Sequence, residues 1–183
     1  MLIIAFILDN IPEYIAKPND LYINIRSGDI FVNVTEKLYA QPPLCFYQKI
    51  IIENNFNKIF IISNGHENPV VDELLKLYPK IKYVHNSVLY HISLIVNAYN
   101  LVMPLSTFPW TLIQLNNNIK NLYIYNIFDY DLRNINCSIH KMEASTKYQR
   151  IMKRNWQNTK EQLNLMLNEN CSGTKMETFY INK

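Results

Sequence analysis

The chain has 183 residues, 49% of them hydrophobic and 18% charged, a size and mix that suit one domain burying its own core and exclude a collagenous or disordered class. Its formal net charge of +3, from 18 basic and 15 acidic residues spread along the chain, leaves no broad cationic face for nucleic acid. The three cysteines, Cys45, Cys137 and Cys171, make neither a CxxC pair nor a zinc spacing; they permit one disulfide at most and suit buried thiols equally well.

In chain order, the apolar run at residues 2–8 stops well short of the roughly 20 residues of a membrane helix, so it reads as a buried strand. It also lacks a basic leader and a cleavage site, and no signal or anchor is visible in the chain. Further strands are expected at 21–25, 58–62, 81–85, 101–105 and 121–125, each rich in Ile, Val, Leu, Tyr or Phe. Between them helical spacing predicts helices at 44–53, 69–78, 89–98 and 110–115, the second opened by the start signal Asn68-Pro69. A long C-terminal helix is expected over 145–167, carrying Tyr148, Ile151, Met152, Trp156, Leu163 and Met166 on its apolar face. Lys147, Arg150, Lys153 and Arg154 fall at helical spacing there and read as a solvated face without a function.

Only three glycines and no Pro- or Ser-rich stretch break the chain, so residues 1–183 are expected to form one domain. Strand and helix alternating about five times argues for a parallel sheet with crossover helices on both faces, a doubly wound, Rossmann-like α/β fold. Ligands of such sheets lie outside the carboxyl ends of the strands, which directs attention to the loops beginning at Arg26, Ser63, Asn86 and Ser106.

Two of these loops carry chemistry. In Leu21-Tyr22-Ile23-Asn24-Ile25-Arg26-Ser27-Gly28-Asp29 an apolar strand ends in a polar turn. The guanidinium of Arg26 suits a bidentate grip on a diphosphate and on the charge that grows there as a sugar leaves. Gly28 permits a sharp turn and Asp29 accepts the hydrogen bonds that stiffen it, although by composition alone such a stretch is more often a plain turn. In Leu101-Val102-Met103-Pro104-Leu105-Ser106-Thr107-Phe108-Pro109-Trp110 a second strand runs into a Ser-Thr pair and a proline suited to the first helical turn. That pattern reads either as ordinary capping or as a phosphate seat.

Together the segments resemble the fucosyltransferase superfamily that shares an HxRxGD-type motif, here Asn24-Ile25-Arg26-Ser27-Gly28-Asp29. Tyr39-Ala40-Gln41-Pro42-Pro43-Leu44-Cys45-Phe46-Tyr47 is similar to a Gln-Pro-Pro-Leu-x-Phe-Tyr stretch of one eukaryotic branch. Ile59 to Val71 looks like the strand, acidic loop and helix of the family, and Ser106-Thr107-Phe108 with Trp110 resembles its Ser-Thr-Phe-x-Trp element. The resemblance implies the C-terminal, donor-binding half of a GT-B-type glycosyltransferase that uses GDP-fucose without a metal or other cofactor and inverts the sugar. It implies that Arg26 is the catalytic residue on the β-phosphate, and that Asn24, Ser27, Gly28, Asp29, His91, Ser106, Thr107 and Phe108 bind the nucleotide sugar. A glycan or protein hydroxyl would be the acceptor, in the Golgi or ER lumen, with a membrane reached only through a segment outside this chain. The N-terminal acceptor domain would be absent or truncated.

The chain departs from the family pattern where Asn24 replaces a histidine and His91 an aspartate, the pair that approaches the base. A carboxylate accepts two hydrogen bonds from guanine where a neutral imidazole accepts one. His66 and Glu67 are candidates for acceptor contacts or general-base work, although such residues are more often simply solvated in a loop. Three glycosylation triplets, at Asn33, Asn136 and Asn170, are neutral in so asparagine-rich a chain. A nucleotide-sugar-binding module without turnover, or a scaffold that keeps only the fold, are the other readings.

Overall fold

In the computed structural model, which describes residues 14–32, 37–128, 132 and 135–181, the chain builds one seven-stranded sheet. The elements are β1 Asp20–Asn24, a 3-10 turn Gly28–Phe31, α1 Leu44–Glu53, β2 Lys58–Ile62, α2 Pro69–Leu77, β3 Lys82–Val84 and α3 Val88–Asn97. They continue with β4 Asn100–Val102, α4 Thr107–Ile113, β5 Asn121–Asn126, β6 Ser138–Glu143, α5 Thr146–Met152, α6 Lys160–Asn168 and β7 Met176–Tyr180. The strand expected at residues 2–8 lies outside the described residues.

The strand order is β3-β2-β1-β4-β5-β6-β7, parallel throughout except for β7, which returns antiparallel along β6. The doubly wound, mostly parallel fold expected from the alternation is therefore the fold observed. Strand side chains alternate between the two faces, and each face meets its own helices. Leu21, Ile23, Ile61, Val102 and Tyr125 join Phe46, Ile50, Val70, Leu74, Tyr148 and Met166 in one core cluster. Tyr22, Ile62, Leu101, Leu122 and Ile124 join Ile92, Ile95, Leu112 and Ile113 in the other. Burying each such aliphatic side chain is worth about 1.5–3 kcal/mol, so the two-sided pattern is the main force holding the crossovers in place.

The C-terminal helix departs from expectation. The single helix predicted over 145–167 is two helices, because Lys153 turns extended and Arg154 and Asn158 both adopt φ 55°, in the left-handed region. The break lets the wholly buried Trp156 drop into the core, where its Nε1 donates to the carbonyl of Ile30 at 2.9 Å and its ring meets Phe31 edge-on. Asn158 Nδ2 donates to the carbonyl of Phe31 at 2.5 Å. The chain after α5 thus clasps the 3-10 turn that follows β1. A capping box at Thr159 and Gln162 restarts the helix as α6.

Cys45 on α1 and Cys171 after α6 form a disulfide, and Cys137 is a buried free thiol pushed up to about 11 by burial. No helix among the described residues is long and apolar enough to cross a membrane.

Candidate functional site at the switch point

Crossovers leave β1 toward β2 on one side and approach β4 on the other, so the sheet order reverses between β1 and β4. Crevices at such a reversal, outside the carboxyl ends of the strands, are where doubly wound sheets take ligands. Both segments singled out in the sequence open here: β1 runs into Arg26–Asp29 and β4 into Ser106–Phe108. The pairing of Ile23 with Val102 sets the two strand ends side by side, about 4.8 Å apart.

The first turn is tied to the start of α2. Ile25 N extends the β1–β2 pairing by donating to the Ile62 carbonyl at 3.0 Å. Ser27 is wholly buried; its Oγ donates to Glu67 Oε2 at 2.9 Å and accepts from the Asn68 amide at 2.9 Å. The Gly28 amide donates to the same Glu67 oxygen at 3.0 Å, and Asn68 Nδ2 donates to the Arg26 carbonyl at 3.0 Å. Asn68 Oδ1 meanwhile caps α2 by accepting from Val70 N. Gly28 sits at φ 75°, and a Cβ there would lie 2.8 Å from the Asn64 amide nitrogen. Arg26 Nη2 donates to Asp29 Oδ1, with the Arg26 side chain 30% exposed.

The turn therefore already holds an anion of its own. Hydrogen bonds from its own backbone amide, from Ser27 and from Gly28 hold the Glu67 carboxyl below the usual carboxylate range. In the sequence Glu67 reads as a solvated loop residue or a candidate base or acceptor contact, and Asn68 only as a helix start. The geometry makes both of them braces of the Arg26 turn, across about 40 residues of chain. His66 is directed elsewhere: it pairs with Asp72 and lies against the Tyr83 ring, centroids 4.3 Å apart.

The second segment is carried by a buried stretch, Val102 to Leu105, that delivers Ser106 to the first position outside α4. Ser106 is half-buried and makes no side-chain capping bond; Thr107 is exposed, and Phe108 holds 47% of its surface in solvent. The Gln-Pro-Pro stretch braces this segment from below. Gln41 is wholly buried, its Nε2 donates to the carbonyls of Tyr39, Ala40 and, at 3.4 Å, Leu105, and its own carbonyl accepts from Tyr148 Oη at 2.6 Å.

Of the remaining predicted residues, Asn24 is the half-buried last residue of β1. His91 lies in α3, where Nε2 accepts from the Asn86 amide at 3.3 Å and burial lowers its pKa, so the ring is neutral at pH 7. Its polar partners, the Asn86 amide and the Val84 backbone, lie in the loop before α3 and at the end of β3. The structure thus sets the Arg26–Asp29 turn and the Ser106–Phe108 segment beyond the ends of adjacent strands, while His91 stands on the helix that follows the edge strand β3. No group of acidic, His and Cys side chains among the described residues has the make-up of a metal site.

Fold and crevice together define a doubly wound α/β domain with two polar turns at its switch point. No protein-family model, curated protein or solved structure matches the chain.

Proposed function

We propose that this chain is the donor-binding domain of a fucosyltransferase-like glycosyltransferase, holding GDP-fucose at the switch point without a metal. The observation that carries the reading is the juxtaposition of the Arg26 turn and the Ser106–Phe108 segment on adjacent strands β1 and β4. Motifs that stand 80 residues apart in sequence follow neighbouring strands, an arrangement that suits gripping a diphosphate from two sides. Arg26 neutralises the charge that builds on the departing diphosphate, and the Ser106 and Thr107 hydroxyls donate from the other side. A glycan or protein hydroxyl attacks from the face opposite the diphosphate, which inverts the sugar. The Cys45–Cys171 disulfide supports an oxidising compartment such as the Golgi or ER lumen.

Calorimetry with GDP-fucose and a GDP-release assay test this. Binding by the wild-type chain is expected, and Arg26→Ala slows GDP release about 100-fold or more, the scale for removing a preorganised charge stabiliser. Equal release rates in the two proteins would sink the reading.

A second reading, nucleotide-sugar binding without turnover, is favoured by a specific observation: Arg26 is engaged by Asp29, and Glu67 already occupies the Gly28 amide. It predicts heat on mixing with GDP-fucose and no GDP release.

A further inference from the structure

A groove of about 1110 Å³ opens over the carboxyl ends of the strands on the β4 side of the crevice, lined by Leu38, Thr107 and Phe128 and by Thr146, Gln149, Arg150, Lys153 and Arg154 of α5 and the chain just beyond it. The interruption of the C-terminal helix creates it, because Lys153 and Arg154 lie beyond the last turn of α5 instead of continuing its outer face. Arg154 is held at φ 55°, a conformation that costs a side chain other than glycine of the order of 1 kcal/mol and that clusters at functional sites.

The described lining of the groove is positively charged. Among the described residues three cations and no carboxylate line it, and none of the three is in an ion pair. Glu143 feels the charge of Lys153, yet its carboxylate is engaged by Lys141 and Asn126. Lys147, one turn away on the same helix, is not among the lining residues. All four basic residues are solvent-exposed, as the solvated-face reading expects, and three of them, Arg150, Lys153 and Arg154, also line the groove. Arg26, in contrast, is committed to Asp29.

We propose that Arg150, Lys153 and Arg154 form an anion-binding wall for a diphosphate-bearing ligand, whose phosphates rest between that wall and the Thr107 hydroxyl. Two arginines and a lysine match the two to three negative charges of a diphosphate, and the planar guanidinium forks suit its oxygens. The inference deepens the nucleotide-sugar reading and rests on it for the identity of the ligand, with Thr107 the residue shared by both.

The test titrates the full chain with inorganic pyrophosphate and, separately, GDP-fucose, for wild type, Arg150→Gln, Arg154→Asn, the double variant and Lys147→Gln. Asparagine is chosen at 154 because it tolerates the left-handed backbone. Each groove substitution is expected to weaken pyrophosphate binding about tenfold and the double variant more, whereas Lys147→Gln, an equal loss of charge on the same helix, leaves it unchanged. GDP-fucose should follow the same order. Unchanged pyrophosphate affinity in the double variant, or an equal loss in Lys147→Gln, would overturn the groove assignment. Groove-dependent pyrophosphate binding without GDP-fucose binding keeps the groove and sinks the fucosyltransferase reading. GDP-fucose binding that Arg26→Gln abolishes and the groove variants leave intact does the reverse. A sulfated glycan that binds more tightly than pyrophosphate and is lost in the same variants would replace the diphosphate as the ligand and overturn the proposal.

Discussion

Replacing Ser27 by alanine tests how the Arg26 turn is held. The hydroxyl serves two partners of different standing: it donates to the exposed Glu67 carboxylate and accepts from the buried Asn68 amide. Burial decides which loss is costly. Glu67 keeps the Gly28 amide and its solvent contact, so its share is well under about 1 kcal/mol. The Asn68 amide loses its acceptor inside the fold, which costs about 1–3 kcal/mol. Ser27→Ala is therefore expected to lower stability by about 2 kcal/mol and Glu67→Gln by much less, read from urea unfolding with unchanged slopes. The double variant should come close to Ser27→Ala alone. If Glu67→Gln costs as much as Ser27→Ala, the anchoring argument fails and the turn is held chiefly by the carboxylate.

Gly28→Ala should cost about 1–2 kcal/mol through the positive φ, and Asn64→Ala should not rescue it, since the Asn64 side chain is exposed and free to move; rescue in denaturant unfolding would make the cost steric. Unfolding without reductant should expose one thiol per chain, Cys137, and the variant Cys45→Ala/Cys171→Ala should lose about 2–5 kcal/mol for releasing a loop with a sequence separation of 126; three reactive thiols would refute the pairing. His91 and His140 both have folded pKa values lowered by burial from 6.5, so the unfolded chain takes up protons first as pH falls. Stability is thus full above pH 6.5 and declines as pH drops toward the folded values, and His91→Gln should flatten that slope in unfolding measured between pH 7.5 and 5.5. The depressed Glu67 carboxyl adds a separate loss below 4.5, as pH falls through its folded pKa.

Much of this architecture is legible in local pattern. Residues 44–53 and 58–62 form the helix and strand their spacing predicts, and Asn68-Pro69 opens α2 with the Asn68 side chain accepting from Val70 N. The elements that escaped are those whose signal is weak for a physical reason. In β6 only Ile139 and Met142 are buried, three residues apart, which breaks the period of two, and β7 is a largely exposed edge. The break after α5 has no glycine or proline to announce it, while Trp156 sits where a continuing apolar stripe would put it, so periodicity runs straight across. For the site, strand-end chemistry drew attention to Arg26 and Ser106. That Glu67 and Asn68 brace the first turn is a contact between distant segments, which no window of sequence contains.

The bridge between Cys45 and Cys171 makes a covalent ring of the chain from α1 to the end of α6, threaded by every strand from β2 to β6. The Ser106–Phe108 turn belongs to that ring; the Arg26 turn is on the tail that precedes it and is gripped only by hydrogen bonds and packing. A peptidase cut anywhere in the ring leaves one molecule of undiminished mass until a reductant is added, whereas a cut between Asp29 and Cys45 sets the Arg26 segment free to dissociate. The two sides of the crevice thus differ in how they survive damage, one secured by connectivity and the other by the fold alone.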